Sequence, residues 1–160
     1  MRQRFVLPLL PIALSILGCG GGNAQPPDTP VPGNANSADV AVIEEWSRTL
    51  SEGDVEGAAE LFALPSVAEN GPAAIEIEDL DDARLFNASL PCGAHLVSAR
   101  SEGDFTIATF QLSERPGPGV CGPGSGGEAR TAFVIEDEEI VEWRRVGGGG
   151  GGEQAPSDVA

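Results

Sequence analysis

Three cysteines, one histidine and an excess of carboxylates are the residues of this 160-residue chain whose types and spacing could do chemistry. Cys19 follows Ile16-Leu17-Gly18, a small residue directly before a cysteine at the end of an apolar run, and is set apart by that position. Cys92 and Cys121 then remain, with a single intrachain pairing open to them. Neither belongs to a Cys-x-x-Cys, the arrangement suited to thiol exchange. A structural disulfide is therefore the expected role, against free thiols or a redox or metal pair. Closing that loop would contribute about 3–4 kcal/mol on the chain-entropy relation. His95 is the lone histidine and could act as a base beside a carboxylate, or simply occupy a strand with no proton to move. Asp54 could be a pocket acid, but a helix cap explains it directly. Asn70 and Asn87 could hydrogen-bond in or near a cavity, with turn and helix-face roles as the plainer alternatives.

Charge excludes several classes. The chain has nine Arg, no Lys and 25 acids, for a net −16. A phosphate-binding Walker loop lacks its lysine, and a nucleic-acid binder would need the opposite sign of field. Gly122 to Gly127 fits GxGxxG, yet a strand is expected after it, where pyrophosphate binding needs a helix N-terminus. The carboxylate runs Asp79–Asp82 and Glu136–Glu139 lack calcium-loop spacing and its glycine. No metal, no cofactor and no nucleic-acid partner are expected.

The first residues read as an address. Arg2 and Arg4 precede an uncharged run from Phe5 to Leu17, the length of a secretory signal's apolar middle and short of a membrane-spanning helix. With Gly18-Cys19 behind it, the run resembles a bacterial lipobox. That resemblance implies a signal over 1–18 and acylation of Cys19, and so a membrane partner through the lipid. Residues 19–38 read as a lipid-anchored tether, since four prolines and four glycines between Gly20 and Ala38 leave little apolar surface to offset ordering. Residues 147–160 open on six consecutive glycines and read as a disordered tail. The folded unit is then 39–146, with seven Arg against 22 acids, so the acidity belongs to the domain.

Inside it, Val42, Trp46 and Leu50 recur at helical spacing behind a cap at Asp39. Gly53 breaks that helix, and Asp54 opens a second with Val55, Ala58, Ala59 and Phe62 inward, stopped by Pro65. Short strands are expected at Val67–Asn70 and Ile75–Ile77, and a third helix from Asp79 to Leu90. Strands follow at 94–100, 104–112, 130–135 and 140–146, with a Gly/Pro-rich loop from Ser113 to Gly127. Strand alternation sends Arg144 and Arg145 to opposite faces, and one of them is expected to pair with a carboxylate. Helices first and a meander behind argue α+β.

The opening VIEEWSRTLSEGDVEGAAELFA (residues 42–63) resembles the first two helices of the nuclear transport factor 2-like superfamily, in its SnoaL-like branch. The closing ARTAFVIEDEEIVEWRRV (residues 129–146) resembles its last hairpin. The stretches FNASLPCGAHL (residues 86–96) and RPGPGVCGPG (residues 115–124) are similar to segments of secreted actinobacterial members. The resemblance implies a cone: a curved antiparallel sheet wrapped around three N-terminal helices, with a pocket between them. It implies homodimers through the outer face of the sheet and a small apolar ligand. Pocket candidates are Trp46, Phe62, Asn70, Phe86, Phe105, Phe110, Phe133 and Trp143. In the steroid-isomerase branch an aspartate base works with a tyrosine donor; this chain has no Tyr, so that chemistry is carried to no residue. The expected function is an extracytoplasmic small-molecule-binding or interaction module. The alternatives are an isomerase, dehydratase or hydrolase using His95 or a pocket carboxylate, and an envelope structural partner.

Overall fold

The computed structural model describes residues 33–147. The signal, Cys19, the tether as far as residue 32 and the tail from residue 148 lie outside the described residues.

Helix α1 spans Ser37–Glu52 and starts ahead of the expected Asp39, because the Asn36 side chain accepts from the Ala38 N–H and caps it. Asp39 falls in the first turn, where it accepts a 2.6 Å hydrogen bond from Thr106 Oγ1 and ties the helix to the sheet. Val42, Ile43, Trp46 and Leu50 form its buried stripe, as their spacing requires. Gly53 ends it at φ 79°, a left-handed position that favours glycine.

Helix α2, Val55–Ala59, is capped by Asp54, whose Oδ1 accepts from the Gly57 N–H at 2.9 Å. It is shorter than expected. Phe62 opens strand β1 (Phe62–Glu69) instead of closing the helix, and Pro65 lies inside that strand. A five-residue helix has little cohesion of its own, so the ladder to the last strand takes over directly. The register of that ladder shifts between Phe62 and Val67, and the irregularity accommodates the N–H that Pro65 lacks.

The remaining elements are β2 (Ile75–Ile77), α3 (Leu80–Ser89), β3 (Gly93–Glu102), β4 (Phe105–Ser113), β5 (Glu128–Glu136) and β6 (Glu139–Val146). Asp79 caps α3 by accepting from the N–H groups of Asp81 and Asp82. The six strands form one sheet in the order β2-β1-β6-β5-β4-β3. It is mixed, since β1 runs parallel to β6 while every other pair is antiparallel. The intervening meander supplies the long crossover that a parallel pair needs. Further register shifts, at Leu96/Ser98 and Val134/Ile135, bend the sheet into an open curve over the helices. The α+β architecture is the expected one.

Trp46 sits at the centre of the concave side. Its ring meets Phe133, Phe110 and Trp143 edge-on at centroid distances of 5.5, 5.8 and 6.1 Å. Phe86 extends the cluster to Phe62 and Trp143.

Candidate functional site

Along β6 the side chains alternate, so Trp143 and Arg145 share the concave face and Arg144 takes the other. Arg144 pairs there with Glu142 and, at 3.9 Å, with Glu69, and its guanidinium lies 5.8 Å from the Phe105 ring centre. On the concave side, Trp46, Phe110, Phe133 and Trp143 fill the space beneath α1. Further along the sheet, small side chains stand beside larger ones, Ala94 beside Leu112, Ala129 beside Phe110 and Thr131 beside Arg145. Small side chains opposite a helix leave room, and a cavity of about 250 Å³ opens at that level.

Its walls are Trp46 and Leu50 of α1, Phe110 and Leu112 of β4, Trp143 of β6, and Leu90 with Pro91 from the link between α3 and β3. Three polar side chains complete the lining: Thr131 on β5, Arg145 on β6, and Asn70 just beyond β1. Asn70 and Arg145 come level because Glu69 pairs with Arg144 one step before them. Among the described residues, the lining holds neither a carboxylate nor an imidazole. Trp46 is fixed through its indole N–H, which donates to Asn87 Oδ1 at 2.9 Å, while Asn87 Nδ2 donates to the Ala83 carbonyl. The indole N–H of Trp143 has no acceptor among the described residues.

The lip of the cavity is the loop between β4 and β5. Cys92 and Cys121 are joined in a disulfide, which is the pairing their count anticipated. Glu114 accepts from the backbone N–H groups of Cys121 and Gly122 at 3.1 and 2.9 Å. Arg115 turns inward and donates to the carbonyls of Leu90 and Asn87, at 2.6 and 3.1 Å, where α3 ends with acceptors unspent. Burial draws its guanidinium pKa below the ordinary value. Pro116 packs against Gly53, where a Cβ would come within 2.7 Å of the Pro116 carbonyl oxygen. A glycine-rich segment is thereby held against both helix ends.

Of the pocket candidates, Trp46, Asn70, Phe110 and Trp143 line the cavity. Phe62, Phe86 and Phe133 are packed in the core and Phe105 is on the opposite face of the sheet, beside Arg144. The two acid–base candidates lie elsewhere. Asp54 is occupied as the cap of α2. His95 is exposed on β3, with Nε2 3.2 Å from Ser113 Oγ. It borders a separate depression of about 410 Å³ lined by Glu44, Ser47, Arg48, Ser51 and Glu52 of α1. That depression is larger but charged, and its cation is already engaged by Glu45 and Glu52. Among the described residues that histidine–serine contact has no third group orienting the imidazole, the element that makes such a pair nucleophilic. Thr131 and Leu112 went unrecognised as lining residues. The signal for Arg145 was present in its alternation with Trp143.

No family model matches the sequence, and no curated protein matches it. Solved structures do share its shape. A provisionally assigned polyketide cyclase from Sinorhizobium meliloti aligns over 70% of this chain and 100% of its own, at 19% identity and a TM-score of 0.55. A provisionally assigned ketosteroid isomerase from Kribbella flavida aligns over 74% and 86%, at 14% identity and a TM-score of 0.51. An NTF2-like protein of unknown function from Cytophaga hutchinsonii aligns over 66% and 85%, at 10% identity and a TM-score of 0.51. At these identities the likeness is one of fold: the chain is a small α+β domain with the nuclear transport factor 2-like architecture.

Proposed function

We propose that this protein is an extracytoplasmic, lipid-anchored binding domain whose cavity holds a small apolar molecule. The observation that carries the reading is the cavity itself, walled by Trp46, Phe110 and Trp143 and left unfilled by small residues on β3 and β5. Its volume of about 250 Å³ lies just below the ~300–1,000 Å³ of drug-sized sites. The names carried by two solved neighbours, a polyketide cyclase and a ketosteroid isomerase, fit the same ligand class. The disulfide supports a location outside the reducing cytosol, and the lipobox-like Leu17-Gly18-Cys19 supports attachment through Cys19. Two acyl chains on that cysteine would hold the domain at the membrane by buried methylenes, since its acidic surface offers anionic headgroups nothing. Binding as the primary role follows from the lining, whose polar groups are an amide, a hydroxyl and a guanidinium.

Saturating the protein with 1-octanol should raise its melting temperature in a dose-dependent way, as any ligand selective for the folded state does. The mature protein from bacterial membranes should carry a diacylglyceryl mass on Cys19. An unchanged melting temperature counts against the cavity, and an unmodified Cys19 counts against the anchor.

A further inference from the structure

We propose that the cavity selects an amphipathic anion, a small molecule with an apolar body and one carboxylate, whose head is held at the rim by Arg145. This rests on the binding reading above and names its ligand class.

Seven arginines serve a domain with 22 acids, so a free guanidinium is unusual here. Arg48, Arg84, Arg100 and Arg144 are each committed to a carboxylate. Arg115 is buried away from the cavity lining and donates through Nε and Nη2 to the carbonyls of α3 and its link. Arg130 and Arg145 enter no ion pair among the described residues. Arg130 stands opposite Thr109 and Val146, one residue out of phase with the cavity-lining Thr131, so alternation turns it to the convex side. Arg145 stands opposite Thr131 on the concave side and lines the cavity.

Among the described residues it is therefore the one cation of the lining, and no acid of the lining neutralises it. The Asn70 amide, just beyond the adjoining strand β1, adds a second donor at the same level. Acids of the domain more than about 8–10 Å away weaken this attraction little, because exposed charges at that range are screened at physiological salt. A carboxylate meeting a guanidinium can make paired, charge-assisted hydrogen bonds, and the aromatic wall takes the apolar remainder. A neutral ligand of the same shape would leave that guanidinium without its partner.

The test compares octanoate with 1-octanol at neutral pH by calorimetric titration, on the wild type, Arg145→Gln and Arg130→Gln. Octanoate should bind the wild type about five- to tenfold more tightly than octanol. Arg145→Gln should remove that preference by weakening octanoate far more than octanol, and Arg130→Gln, which changes net charge equally, should keep it. A ratio between two ligands on one protein is insensitive to a modest loss of folded fraction. Equal binding of the two ligands to the wild type, or equal effects of the two substitutions, overturns the anion preference while the cavity reading stands. Failure of both ligands to bind the wild type overturns both.

Discussion

Glu56 and Arg84 show how single residues join the short helices that frame the site. Arg84 on α3 donates through Nε to Glu56 Oε2 of α2 at 2.5 Å, and pairs also with Asp81 in its own helix. Hydrogen bonds from Arg84 are the main reason the Glu56 carboxyl is held below its ordinary pKa. A carboxylate lowered on folding contributes stability above its unfolded pKa and loses it as pH falls through the folded value. Because the pair is exposed, the energetic effect is small, and the titration itself is the better readout. In a carbon-detected NMR titration Glu56 should protonate below the usual glutamate range, and Arg84→Gln should return it there. An ordinary midpoint in the wild type would mean that the pair does not form in solution. At this same scale the sequence was uneven as a guide. Asp54 is legible as a cap and Asp79 as a helix start because each precedes an apolar-periodic run. Asn87 did not announce its bond to Trp46, since 41 residues separate the two and no local pattern connects them.

Elements were legible where a period persisted. The stripe of α1 and the alternation of β3 to β6 each run long enough to fix type and face. Only the end of β1, from Val67, is legible, because Ala-rich α2 runs into its start without a break and Pro65 reads as a helix stop until the ladder to β6 is known. Parallel pairing between β1 and β6 is a relation between distant segments, which no local pattern records. The strands expected at 130–135 and 140–146 leave the acidic run Glu136–Glu139 as their turn, yet Asp137 and Glu138 adopt left-handed φ of 50° and 67° without a glycine to signal the tight hairpin. The loop after β4 depends on its staple. Replacing Cys92 and Cys121 together by Ser should cost about 3–4 kcal/mol in urea unfolding, with the loop amides of 116–126 losing hydrogen-exchange protection first. Loss below about 1 kcal/mol would show that Arg115 and Glu114 hold the lip without the bond.

At the scale of the whole molecule, the proposed binding role rests on where the aromatic packing stops. All the inward aromatics look alike in sequence, because strand and helix periodicity puts every one of them on the concave side. Phe133 is core while Phe110 and Trp143 reach a void, and the difference lies in the small neighbours Ala94, Ala129 and Thr131 on adjacent strands. Only pairing register reveals that level, so the cavity's existence was implied by resemblance and its walls were supplied by the fold. The chain's two tryptophans, Trp46 and Trp143, both face it. Contact quenching of their fluorescence by bromooctanol is therefore the most direct measurement of the central claim. Occupation of the cavity predicts saturable quenching that excess unbrominated octanol reverses. Quenching that stays linear in bromooctanol, and no steeper than for free N-acetyltryptophanamide, would contradict it.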